Sequence, residues 1–208
     1  MIKNTFRTIF LFLFFVTLVY PAQKGEDKMR AFTVSIQDET SKNYPKAIKG
    51  MLDIKEAYKN DYLVHLRLGW LYYLAKEYET SVKYYQEAVR LSDNSIESML
   101  GITMPYAEMK KWDNVQEMYK NIIAKDKYHY TANLRLGQMY YNVGNYVIAK
   151  KYFETVYENY PGEYEINLYM GWTFYYLGSR TKAQFYFVNA IVLNSSDTSA
   201  KDGLELTK

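Results

Sequence analysis

Cysteine is absent from the 208 residues, histidine occurs twice, and proline and glycine are scarce at four and ten. Each shortage excludes something. Without cysteine there are no disulfides, no thiolate metal ligands and no cysteine at a leader cleavage point to carry a lipid, so an exported form of this chain rests on its hydrophobic core. His65 and His129 fall in different parts of the repeat pattern described below and form no expected pair. No glycine-rich phosphate loop follows a strand-like run, and the carboxylates are scattered as on solvated helix faces. The expectation is therefore no catalytic residue, no metal, no cofactor and no enzyme activity. Excess charge is also missing: 26 basic residues against 23 acidic ones give a net +3, too balanced for the basic stripe that nucleic acid requires. What is abundant is apolar and aromatic surface, 49% and 18% of the chain, including 24 tyrosines. Few helix breakers with this much apolar content point to an ordered, largely helical protein.

The first 22 residues read as a targeting segment. Lys3 and Arg7 precede an apolar run from Ile9 to Tyr20 broken only by Thr17, and Gln23 to Asp27 is polar. A basic front, a short apolar middle and a polar exit describe a secretory signal, and the run falls short of the roughly 20 residues of a membrane-spanning helix. Cleavage is expected after Ala22; an uncleaved anchor is the alternative, because Tyr20 suits the cleavage site poorly. Residues 23–27 then form a short linker. This predicts a protein exported through a bacterial envelope to be periplasmic, outer-membrane-associated or secreted, touching a membrane only through a retained leader.

The remainder is periodic. From Tyr130 to Glu163 the chain carries Leu136-Gly137-x-x-Tyr140, Gly144-Asn145-Tyr146, Ala149-x-x-x-Phe153 and Pro161. Leu136, Tyr140 and Val143 stand at i, i+4 and i+7, and Ala149, Phe153 and Val156 repeat that spacing, so two amphipathic helices are separated by a break at Gly144-Asn145. Small Gly137 and Ala149 leave room for close approach, and Tyr140 and Phe153 fill the gap. One such pair cannot bury its apolar face alone.

This order and spacing resembles the tetratricopeptide repeat, a unit of about 34 residues. The resemblance implies an all-α, right-handed superhelical array of helix-turn-helix units. Stepping by that period gives five repeats, 28–61, 62–95, 96–129, 130–163 and 164–197, with 198–208 as a partial capping helix. The small position of the first helices reads Ser35, Gly69, Thr103, Gly137, Gly171; three residues on come Asp38, Tyr72, Tyr106, Tyr140 and Phe174. Second helices open on Tyr44, Tyr78, Trp112, Tyr146 and Arg180. In the third unit the period selects Ile102-Thr103 over the neighbouring Leu100-Gly101, and Pro105 is expected to kink its first helix.

The family resemblance implies a groove lined by first helices, at unit positions 2, 5, 6, 9, 12 and 13. Position 5 is apolar throughout, which removes the polar clamp that some family members use for acidic chaperone tails. The expected groove residues are Leu66, Arg67, Trp70 and Tyr73; Leu134, Arg135, Gln138 and Tyr141; and Leu168, Trp172, Tyr175 and Tyr176. Trp, Tyr and Arg are enriched at binding hot spots. The expected partner is an extended segment or helix of another protein bearing a carboxylate or two, held by a non-enzymatic scaffold or adaptor. A glycan-binding module using the same aromatic faces is the alternative.

Overall fold

The computed structural model describes residues 25–208, so the expected leader lies outside the described residues. These residues form eleven helices and no strand. They divide into two compact units, one running to Met109 and the other from Lys110 to Lys208. The first holds α1 (25–40), α2 (Tyr44–Lys55), α3 (Tyr62–Leu74), α4 (Tyr78–Leu91) and α5 (Ile96–Glu108). The second holds α6 (Trp112–Lys125), α7 (Tyr130–Asn142), α8 (Tyr146–Asn159), α9 (Tyr164–Tyr176), α10 (Arg180–Leu193) and α11 (Thr198–Glu205). Helices α3, α5, α7, α9 and α11 each begin 34 residues after the one before, and so do α2, α4, α6, α8 and α10. Helix α5 runs through Pro105 to Glu108 without a break.

Each helix pair is joined at a left-handed residue. Lys42, Lys76, Lys110, Gly144 and Gly178 have φ of 56°, 62°, 57°, 76° and 76°, all at the same place in the period. Around Gly144, its N–H donates to Tyr141 at 2.9 Å and Asn145 N–H to Tyr140 at 2.9 Å. Lys76 and Glu77 repeat this pattern with Tyr73 and Tyr72. These are the paired bonds of a helix end closed through a left-handed residue, which satisfy carbonyls that the last turn would leave open. Val143 departs from the sequence reading: it caps α7 beyond its last helical residue and is 77% exposed, because the turn has already swung it off the apolar stripe.

Packing is built on rings pressed against glycines. A methyl group added to Gly69 or Gly101 would lie 2.9 Å and 2.3 Å from the Tyr85 ring, so that ring is held between α3 and α5. Gly137 faces Phe153 in the same way, at 2.4 Å, and Phe153 stacks on Tyr169 at 5.1 Å. Phe187 lies between Gly171 and Gly203, at 2.6 Å and 2.3 Å, with Trp172 edge-on at 5.1 Å. The small residues therefore make room for an aromatic ring from a neighbouring helix. Gly101, passed over when the period fixed the third unit, serves the ring of the preceding unit. Gly203 does the same for α11, which is capped by Asp197; that carboxylate accepts from the N–H groups of Ser199 and Ala200.

Buried polar residues near the start of the first helices tie down the loops before them. Asn167 Nδ2 donates to the carbonyls of Pro161 and Glu163, both at 2.8 Å, and Asn133 Nδ2 to those of Lys127 and His129 at 2.9 and 3.0 Å. In α3 the same place is taken by buried His65, whose Nε2 lies 2.7 Å from the Lys59 carbonyl. This histidine is thereby spent on packing. Asp38, where the pattern calls for an aromatic, is also buried and accepts from Lys46 at 2.9 Å.

Candidate functional site

In the first unit, α1, α3 and α5 present their residues to one hollow of about 660 Å³. Its wall is apolar: Phe32, Leu66 and Leu100 from the fifth place of each repeat, with Trp70 and Met104 from the ninth. The Tyr85 ring, pressed against Gly101, also borders it. Arg67 and Glu97 are the charged residues on its lining.

The two charges differ in what they have left to offer. Arg67 Nη1 pairs with Glu39 at 2.5 Å and Nε donates to Ser35 Oγ at 3.0 Å. Trp70 Nε1 donates to the same Glu39 at 2.8 Å. The carboxylate expected from a ligand opposite Arg67 is thus supplied by the protein itself, since a guanidinium this enclosed requires a counter-ion. Glu97 is exposed and accepts from the Tyr62 hydroxyl at 2.6 Å. The Tyr62 phenol is raised from its ordinary pKa by partial burial first and by that bond second. Arg67, its charge met by Glu39, keeps one buried Nη2 without a partner, and the net charge still open to a ligand at this hollow is acidic.

Of the expected groove residues, Leu66, Arg67 and Trp70 meet in this hollow, while Tyr73 stacks on Trp70 at 5.7 Å outside its lining. In the second unit, Leu134 and Gln138 are buried and Arg135 is exposed. Arg135 donates to Gln138 at 2.8 Å, and Gln138 to Glu165 at 2.8 Å. Leu168, Trp172, Tyr175 and Tyr141 are half-buried against the core. Tyr141 touches the rings of Tyr146, Tyr169 and Tyr176, and burial followed by these neighbours raises its phenol well above the usual range. Tyr176 is exposed and stacks on Tyr146 at 4.5 Å. Sequence reasoning missed Leu63, Ile96 and Glu97 as lining residues and Glu39 as the counter-ion. Leu63 and Glu97 stand at the second place of their repeats, a groove position the family pattern already implied. Among the described residues, no group of three or more His, Cys, Asp or Glu could hold a metal, and no helix is long and apolar enough to cross a membrane.

This architecture is an all-α solenoid of helix-turn-helix units with about five tetratricopeptide-like repeats. Family models described as tetratricopeptide repeat match residues 62–95 and 131–162. Among solved structures, a tetratricopeptide repeat protein from Parabacteroides merdae superposes with a TM-score of 0.74 at 14% identity, covering 88% of this chain and 72% of that one. MamA protein gives 0.70 at 19% identity, covering 82% and 93%. YrrB, described as a tetratricopeptide repeat protein with an unusual peptide-binding site, gives 0.67 at 15% identity, covering 84% and 90%. No curated protein matches the chain in sequence.

Proposed function

We propose that this protein is a non-enzymatic interaction module that seats a segment of another protein in the hollow between α1, α3 and α5. The hollow itself carries the reading: a wall of Phe32, Leu66, Trp70, Leu100 and Met104 takes apolar side chains, and exposed Glu97 selects a neighbouring Lys or Arg. Because Arg67 is already neutralised by Glu39, the preferred segment is apolar and basic. The peptide-binding description of YrrB supports a peptide occupant on this type of scaffold. The pattern of residues 1–22 supports a place in the bacterial envelope, as an exported scaffold or adaptor. Mass spectrometry of the native N-terminus tests that placement: a chain starting at Gln23 supports it, and recovery of intact Met1 in a cytosolic fraction refutes it.

Panning a random peptide display library on the protein tests the hollow. The expected selection is for apolar residues beside Lys or Arg, lost in Leu100→Asp and shifted away from basic residues in Glu97→Gln, with helical circular dichroism retained. Peptides that bind Leu100→Asp equally well refute the site. A glycan reading rests on exposed Tyr176, stacked on half-buried Tyr146 beside Trp172. A glycan array that captures sugar through Tyr176, with no peptide selected, would replace the first reading by this one.

A further inference from the structure

The outward face of α10 sets it apart from the other second helices. At three outward places of the repeat, α4 carries Lys83, Gln86 and Arg90, and α8 carries Lys151, Glu154 and Glu158. Helix α6 holds charged residues at two of these three places, and α2 holds Lys49 at one, with Glu56 just past its end. In α10 the same places are Phe185, Val188 and Val192, and they are 54%, 45% and 78% exposed. Spaced i, i+3 and i+7, they form a single stripe. The opposite side of α10 is already filled, with Ala183, Phe187 and Ala190 fully buried. A helix apolar on both sides has a second surface to cover.

We propose that this stripe pairs with the same stripe of a second copy of the chain, the two α10 helices running antiparallel about a two-fold axis. The surrounding charges favour this occupant. A two-fold interface must be complementary to itself. Basic Arg180 and Lys182 stand at the start of α10, where no acidic residue balances them and the helix end is itself positive. Beside the stripe runs α8, joined to α10 through the Tyr157 and Tyr186 rings at 5.2 Å, and its far half carries Glu158 and Glu154, the latter 3.7 Å from Lys150 of its own helix. Antiparallel pairing brings the basic start of each copy to the acidic half of the other. The same two glutamates disfavour an anionic lipid surface. Three apolar side chains per copy make a small contact, short of the roughly 1,200 Å² of a stable complex, so the pairing is concentration-dependent.

Sedimentation equilibrium of the full chain, from low micromolar to several hundred micromolar, tests this independently of the hollow. The expected result is a monomer–dimer equilibrium whose dissociation constant rises about tenfold or more in Phe185→Glu/Val192→Glu, with circular dichroism unchanged because both positions face solvent. Arg180→Glu/Lys182→Glu alone weakens the dimer, as does Glu154→Lys/Glu158→Lys alone, and mixing these two variants restores pairing. A monomer throughout, association indifferent to Phe185→Glu/Val192→Glu, or flotation with phosphatidylcholine vesicles through these residues in place of dimerisation would each overturn the proposal.

Discussion

Replacing glycine by alanine has opposite signs at two helical positions of this protein, and the difference follows from what the added methyl meets. At Gly50, in the middle of α2, nothing lies within 4 Å, so Gly50→Ala restricts the unfolded chain and favours the helix without a steric penalty. It should stabilise by about 0.5–1 kcal/mol. At Gly101 the methyl carbon would sit 2.3 Å from Tyr85 Cε1, more than an ångström inside ordinary contact. The ring cannot retreat, because its other face is already against Gly69 and the residue is 2% exposed. Overpacking against a ring closed in on both faces costs about 2–3 kcal/mol, which outweighs a propensity gain of about 1 kcal/mol. Gly101→Ala should therefore lower stability by about 1–2 kcal/mol, read from urea unfolding followed by circular dichroism. Combining it with Tyr85→Leu, which shrinks the obstructing ring, should cost less than the sum of the two single changes. A Gly101→Ala protein as stable as the parent, or strict additivity with Tyr85→Leu, would refute the idea that this ring is locked between two glycines.

Lys76→Gly should stabilise by about 0.5–1 kcal/mol, since Lys76 holds a left-handed backbone that costs any residue with a Cβ; a loss in thermal unfolding would show that its side chain contributes more than its backbone costs. Asn167→Leu should destabilise by about 1–3 kcal/mol by removing the buried amide that donates to the backbone carbonyls of Pro161 and Glu163, and hydrogen exchange in the 160–164 loop should rise with it. Tyr141, Tyr152, Tyr169 and Tyr186 have phenols raised above the ordinary value near 10, burial being the first cause in each. The unfolded chain therefore releases these protons first, and the stability they confer is intact below about pH 10 and declines as pH rises above it. Tyrosinate absorbance should climb together with loss of helicity; complete titration near pH 10 with the helices intact would contradict the burial.

Much of the repeat was legible because it depends on local chemistry. Tyr78, Trp112 and Tyr146 mark second helices, and Gly144 marks a turn, through spacing that a chain of any tertiary arrangement would have to show. The same turn at Lys42, Lys76 and Lys110 was silent, because lysine carries no preference for the left-handed backbone it adopts there. Val143 was misplaced for a related reason: periodicity does not register where a helix has already ended. In the site, the apolar fifth positions led to Leu66 and the ninth to Trp70, yet the state of Arg67 could not be read.

By itself the sequence determined the helical period and the alternation of small and aromatic residues, since each is a property of residue types at fixed separations. Tertiary structure alone decided which ring each glycine serves, why Gly101 belongs to Tyr85 of the preceding repeat, and why Arg67 is answered by Glu39 within the protein. It also decided that Phe185, Val188 and Val192 lie on the outward side of α10 while Phe187 is enclosed. These outcomes turn on which helix comes to lie against which. Distance and burial between residues 16 to 28 positions apart are set by packing, and no local pattern encodes them.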